Sequence, residues 1–400
     1  MLPRPGRHFT TIILMMLLLP YASWARPKSV FRGQAVEWTP DLLGVDRVEP
    51  LAFRPAWTFS GFAAPLAGDP VAMIGALIGS ARDGDVVSLD AARGQAYWRV
   101  RLPAPLRVGP VSVDGTVYQA AGDGLLYALD GTDGRILWSS DLGAEAAARP
   151  TPVDTRLLVP TASEMLIVIE RRSGRIAARR NLPGQVTAAV TVAEGVVVLG
   201  TDHGMVVAFD AEDVAERWRR YLRHPITSPL LIHDRRVYVA ASDRSLHCLS
   251  LNSGRTKWKQ VLGSMVSAGM FVRDRHLYVL CYDNDIYAMR YKNGHLIGRM
   301  RLENRLDRSG EVTSEHLFVV PYTASTLVEL SLPGLRPGGR YSLDRPGEWF
   351  TTSPVVFSRR VALGYGRDEG RIIALDMSEQ ETVPINGTAK AGGDTGAAQR

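Results

Sequence analysis

Residues Gly122–Trp138 read GDGLLYALDGTDGRILW, a short apolar run held between two tight turns. Asp123-Gly124 marks a hairpin, because a two-residue turn of this kind needs positive φ, which Gly, Asn and Asp adopt at low cost. Leu125–Leu129 then has the length and apolar character of a strand. Asp130 closes it, GTDG turns the chain again, and Arg135–Trp138 opens the next strand. No helical period runs through the segment. The pattern predicts antiparallel β-structure with a turn every eight to ten residues.

The stretch recurs. DGDVVSLDAARGQAYW (83–98) precedes it by forty residues and DRSLHCLSLNSGRTKW (243–258) follows by 120. Stepping by forty from Asp130 lands on Asp90, Glu170, Asp210, Ser250, Arg290 and Leu330, each closing an apolar run; an eighth copy ends at Asp376 after a six-residue insertion. Seven residues before the anchor stands an acid in five copies, Asp83, Asp123, Asp243, Asp283 and Glu369. Eight residues after it stands Trp98, Trp138, Trp218 or Trp258, whereas Ala178 and Gly298 take that place in the third and sixth copies. Stretches such as GPVSVDGTVYQAAG (109–122) add a second strand pair upstream, so each unit has four short strands.

Four strands per forty residues predict an all-β fold, an eight-bladed β-propeller of four-stranded antiparallel blades, since one blade cannot bury both faces without neighbours. No Trp strand follows Asp376, but Trp57 in RPAWTF precedes the first unit. The N-terminal strand is therefore expected to complete the last blade and leave no open edge. The repeated Trp is a packing device, its ring buried between blades.

ALDGTDGRILW (128–138) and LSLNSGRTKW (249–258) resemble the tryptophan-docking repeat of the quinoprotein (PQQ-like) family, roughly A-x-D-x-x-T-G-x-x-x-W. The resemblance spans residues 57–376. It implies the fold directly, and it points to two branches: dehydrogenases that use pyrroloquinoline quinone (PQQ), and non-catalytic propellers typified by BamB, the propeller subunit of the outer-membrane β-barrel assembly machinery.

MLPRPGRHFTTIILMMLLLPYASWA (1–25) has Arg4 and Arg7, an apolar stretch and small residues at Ser23 and Ala25, as a secretory signal peptide does. No other apolar run approaches spanning length. The mature chain is thus expected in the periplasm, without a transmembrane span, and nucleic acid is excluded as a partner. BamB-type subunits carry a lipid-modified Cys after the signal; the first Cys here is Cys248, so lipid anchoring is not expected. Residues 26–56, with Pro27, Pro40, Pro50 and Pro55, read as an extended lead, 57–380 as the propeller, and 381–400 as a tail too poor in apolar residues to pack.

Removing Arg4 and Arg7 from the formal +6 leaves +4, with Arg-rich clusters at 170–180 and 216–225 that read as solvated turns or a docking surface for an acidic partner or anionic head groups. Cys248 and Cys281 occupy small-residue slots; a disulfide between neighbouring blades is open to them if geometry allows. The eight His form no recognised metal spacing, and G-x-S-x-G, phosphate-loop and HExxH motifs are absent. The acids at the turns are turn-formers before they are Ca²⁺ ligands.

These features predict no enzyme, no cofactor and no metal, but a monomeric scaffold for an envelope protein partner. The resemblance implies that the partner is the β-barrel assembly machinery, and that a Leu-Arg pair in an inter-blade loop contacts its central subunit. Leu222-Arg223 ahead of Ser228-Pro229 matches that pattern, and Leu106-Arg107 ahead of Pro110 offers a second register. The alternatives are an envelope polysaccharide- or peptide-binding module and a PQQ-dependent dehydrogenase, which would need long insertions to wall off its cofactor.

Overall fold

The computed structural model describes residues 51–322 and 325–379. The expected signal peptide, the lead up to residue 50 and the tail from 381 lie outside the described residues. Among those described there is no helix, and hence none long and apolar enough to cross a membrane.

Eight four-stranded antiparallel sheets form the blades. Blade 1 comprises strand a (Val71–Met73), strand b (Ala76–Ser80), strand c (Asp85–Asp90) and strand d (Ala96–Arg101). Blades 2 to 7 repeat this order, the last ending with Arg336–Ser342. Blade 8 takes three strands from Val355–Phe357, Arg360–Tyr365 and Arg371–Glu379, and its outer strand is Leu51–Phe59 from the other end of the chain. Trp57 pairs with Ala374 there, as expected, and the strand reaches back to Leu51, so residues 51–56 of the expected lead belong to the ring. Pro55 is tolerated because it sits on an outer strand beside a register shift between Pro55 and Trp57.

Strand c is buried along its whole length in blade 1, without inward/outward alternation, because neighbouring blades cover both of its faces. Strand d is mostly exposed, with its tryptophan turned inward, as in AYWRVR of blade 1. Each apolar cluster accordingly draws on two adjacent blades: Trp57, Leu77, Val87 and Ile372 join blades 8 and 1, and Val198, Trp218, Val237 and Leu249 join blades 4 and 5. Inner strands are laced by hydroxyls one repeat apart, as in Ser112 Oγ to Ala72 O (3.2 Å) and Thr191 Oγ to Leu230 O (3.0 Å).

The tryptophan joint is the same in five places. The indole N–H donates to the carbonyl just after the next blade's anchor: Trp57 to Ala91 (3.1 Å), Trp98 to Gly131 (2.9 Å), Trp138 to Arg171 (3.1 Å), Trp218 to Leu251 (2.6 Å) and Trp258 to Tyr291 (3.3 Å). The ring lies on a glycine of the same turn. A Cβ on Gly174, at φ +70°, would come within 2.6 Å of the Trp138 ring, and the other four turns are built alike. The turn acids behave as expected: Asp123 Oδ1 accepts from Leu125 N (3.0 Å), and Asp243 Oδ1 from Ser245 N (3.0 Å).

Blade 7 departs from the forty-residue count. His316 pairs with Ser331, whereas His276, forty residues earlier, pairs with Arg290, so one extra residue shifts the anchor from Leu330 to Ser331. Cys248 lies opposite Trp258 in the small-residue slot. Both cysteines are buried free thiols.

Candidate protein-docking face

The antiparallel order sends all b–c turns and all d-to-a links to one face of the ring and all a–b and c–d turns to the other. On the link face, each link begins with a leucine whose N–H closes onto the neighbouring b–c turn. Leu102 donates to Gly84 O (2.9 Å), Leu142 to Gly124 O (2.9 Å), Leu222 to Gly204 O (2.8 Å) and Leu302 to Asn284 O (2.9 Å). The structure therefore splits the Leu222-Arg223 pair. Leu222 is buried in the blade 4–5 cluster and holds the link down, while Arg223, at φ +73°, is exposed. Leu106 is likewise buried, and Arg107 pairs with Glu145 at 2.6 Å.

The same face carries a run of large side chains from blades 4 to 7. Tyr221 is 59% exposed, Met265 41% and Tyr322 47%. The backbone bond that ties each link to the next b–c turn recurs in blades 1 to 7, and its copies in blades 6 and 7 join large side chains: Tyr282 N donates to Met265 O (2.9 Å), and forty residues on Tyr322 N donates to Arg305 O (2.6 Å). The two copies touch, because the Arg305 guanidinium lies over the Tyr282 ring at 5.2 Å, a cation–π contact. Met265, Tyr282, Arg305 and Tyr322 thus form a ladder across blades 6 and 7. Beside it a shallow cleft is lined by Asn284, Glu303, Asn304, Arg305 and Tyr322.

The ladder escaped the motif search because it belongs to no catalytic or metal pattern. Its signal lies in the repeat: positions 82, 122, 162, 202 and 242 hold Arg, Gly, Ala, Asp and Ser, and only 282 and 322 hold Tyr. Beneath it, Asp285 is fully buried and held by Arg301 (2.9 Å) and Arg299 (3.3 Å). Burial first, and the Asp285 charge second, push the Asp283 carboxyl above its ordinary value. Among the described residues, no three His, Cys, Asp or Glu side chains converge as a metal site.

The family model described as outer membrane protein assembly factor BamB matches residues 82–177 and 162–383. The chain belongs to this family. BamB from Moraxella catarrhalis superposes with a TM-score of 0.66 at 15% identity, over 82% of this chain and 99% of that one. The computationally designed Ika8 protein gives 0.67 at 15%, over 80% and 99%. Quinohemoprotein alcohol dehydrogenase from Comamonas testosteroni gives 0.68 at 11%, over 89% and 80%. At such identities these likenesses show the fold alone. No curated protein sequence matches the chain.

Proposed function

We propose that this chain is a non-catalytic protein-interaction scaffold of the cell envelope that serves outer-membrane protein assembly, with the link face of blades 4 to 7 as its docking surface. The observation that carries the reading is the ladder of Met265, Tyr282, Arg305 and Tyr322 on this face. Tyr, Met and Arg are the side chains enriched at the buried centres of protein interfaces, and a rigid β-scaffold presents these at little entropic cost. Family membership supports the β-barrel assembly machinery as the partner class. The near-uniform forty-residue spacing supports the non-catalytic side, since it leaves little chain for the insertions that would wall off a quinone.

Titration of the purified chain with the periplasmic portion of the assembly machinery's central subunit tests this. Tyr282→Ala and Arg305→Ala are each expected to cost about 2 kcal/mol of binding. Unchanged affinity in both would remove the docking face from consideration. Dye reduction on adding PQQ, Ca²⁺ and an alcohol would overturn the non-catalytic reading.

A further inference from the structure

The opposite face of the ring has an uneven charge. In its turns in blades 5 and 6 (233–236, 250–257, 273–276 and 290–295) stand eight Arg or Lys and two acids. The same turns of blades 3 and 4 (153–156, 170–177, 193–196 and 210–215) hold four Arg and six acids. In blades 5 and 6 both acids have a cation beside them, Asp234 with Arg236 (2.6 Å) and Asp274 with Arg273 (4.0 Å). The side-chain cations of Arg235, Arg255, Lys257, Arg275, Arg290 and Lys292 have no carboxylate among the described residues within ion-pair distance, Glu194 accepting only from Arg235 N (3.2 Å), and all six residues are exposed.

These cations stand on a fixed support. The Tyr291 carbonyl accepts from both Tyr238 Oη (3.0 Å) and Trp258 Nε1 (3.3 Å), which ties its turn to the core of blade 5. Its ring has the Arg236 guanidinium and the Lys292 ammonium each 5.7 Å from its centre, with His233 edge-on at 5.1 Å. Beside it a cleft of about 560 Å³ is lined by Arg275, His276, Arg290, Tyr291, Lys292 and Asn293. Nδ1 of His276 is buried there without a hydrogen-bond partner.

We infer that this part of the face binds the phosphate head groups of an anionic membrane surface. Arginine and lysine are the groups that take phosphate oxygens, Arg through paired N–H donors. Their spread along the turns of two blades suits a charged plane better than a single small anion. The same face also carries Ile74, fully exposed at the tip of the blade 1 hairpin, and Tyr97, 58% exposed, side chains that a lipid surface accommodates and a soluble anion does not. The inference stands apart from the docking reading, since the two surfaces lie on opposite faces.

Co-sedimentation of the purified chain with vesicles tests it. Phosphatidylcholine vesicles containing phosphatidylglycerol are expected to bind the chain, and pure phosphatidylcholine vesicles are not. Each cation removed should weaken binding about fivefold, so Arg275→Gln with Lys292→Gln should weaken it about 25-fold. The pair Arg345→Gln with Arg367→Gln changes net charge equally but lies on the link face, and should leave binding within about twofold. Equal losses in the two double variants would reduce the effect to net charge and overturn the site. Binding to pure phosphatidylcholine would overturn it too, as would displacement from vesicles by millimolar glycerophosphate, which would make the cleft a soluble-anion site. Partner titration reads the other face, so the two readings can fail separately.

Discussion

Val214 stands in blade 4 where blades 1, 2, 3, 5 and 6 have the glycine that receives a tryptophan, and it packs in one cluster with Ala178, the residue that replaces that tryptophan. Val214 keeps the glycine's left-handed backbone, φ +55°, although a β-branched residue is strained there. The same exchange occurs one more time. Blade 6 has Gly298 in place of Trp, and the matching turn of blade 7 has Leu335, fully buried at φ +50°. Volume lost on one blade is restored from the next. The two joints without tryptophan are closed by a reversed knob.

This reciprocity predicts a coupled pair. Ala178→Trp alone should destabilise by overpacking against Val214, and Val214→Gly alone by opening a cavity, each by about 1–3 kcal/mol. The double variant recreates the joint of the other blades and should recover most of the loss. A double-mutant cycle in denaturant reads the coupling, and additive losses would refute the exchange.

Trp138→Ala should cost about 3 kcal/mol, while Ala178→Gly should cost less than about 1 kcal/mol. Gly174→Ala should also destabilise strongly, because its Cβ meets the Trp138 ring and its φ is +70°. Equal effects of Ala178→Gly and Trp138→Ala on the unfolding midpoint would contradict the docking geometry.

Glu329 is fully buried where blades 7 and 8 meet. Its carboxylate accepts from Gly339 N (2.8 Å) and Leu51 N (3.5 Å) and faces His316 Nδ1 at 2.8 Å. Glu329→Ala strands these donors and should cost about 3 kcal/mol or more. Hydrogen exchange should then quicken first in residues 51–59 and 336–342. Unaltered protection in both segments would show that the carboxylate does not secure the junction.

His247 is buried in strand c of blade 5, and burial above all, with Lys259 adding to it, lowers its pKa from 6.5 to about 4. Below pH 6.5 the unfolded chain takes up a proton that the folded chain refuses until about pH 4. Stability is therefore lost as pH falls through that window, by at most about 3 kcal/mol, and is unaffected by this group above it. Blades 2 and 6 carry Tyr127 and Tyr287 at the same register, so His247→Tyr is the conservative replacement. It should flatten denaturation midpoints between pH 7 and 4.5; an unchanged slope would rule out His247 as the cause.

The ring and its closure were legible because they rest on spacing. Asp130 to Trp138 fixes the distance around one c–d turn, and the same distance recurs, so Trp57 could be assigned to a blade whose other strands lie about 300 residues away or more. The extra residue of blade 7 was not legible, since it falls in a turn and has no side-chain signature of its own. Val214 and Leu335 were missed because a hydrophobic residue in a turn reads as noise until the joint's other half is seen. The Leu222-Arg223 pair illustrates the limit for sites: adjacency in the chain suggested one contact surface, yet the turn directs Leu222 inward and Arg223 outward.

The pairing of Leu51–Phe59 with Arg371–Glu379 also sets an order of events. The first of the described strands to be synthesised is among the last to find its place, because its partner is made only after seven blades' worth of chain. Until then both edges stay unpaired and open to other strands. Folding should therefore show a late, slow phase confined to this junction, and a chain that stops short of residue 371 would hold a nearly complete circle with no clasp.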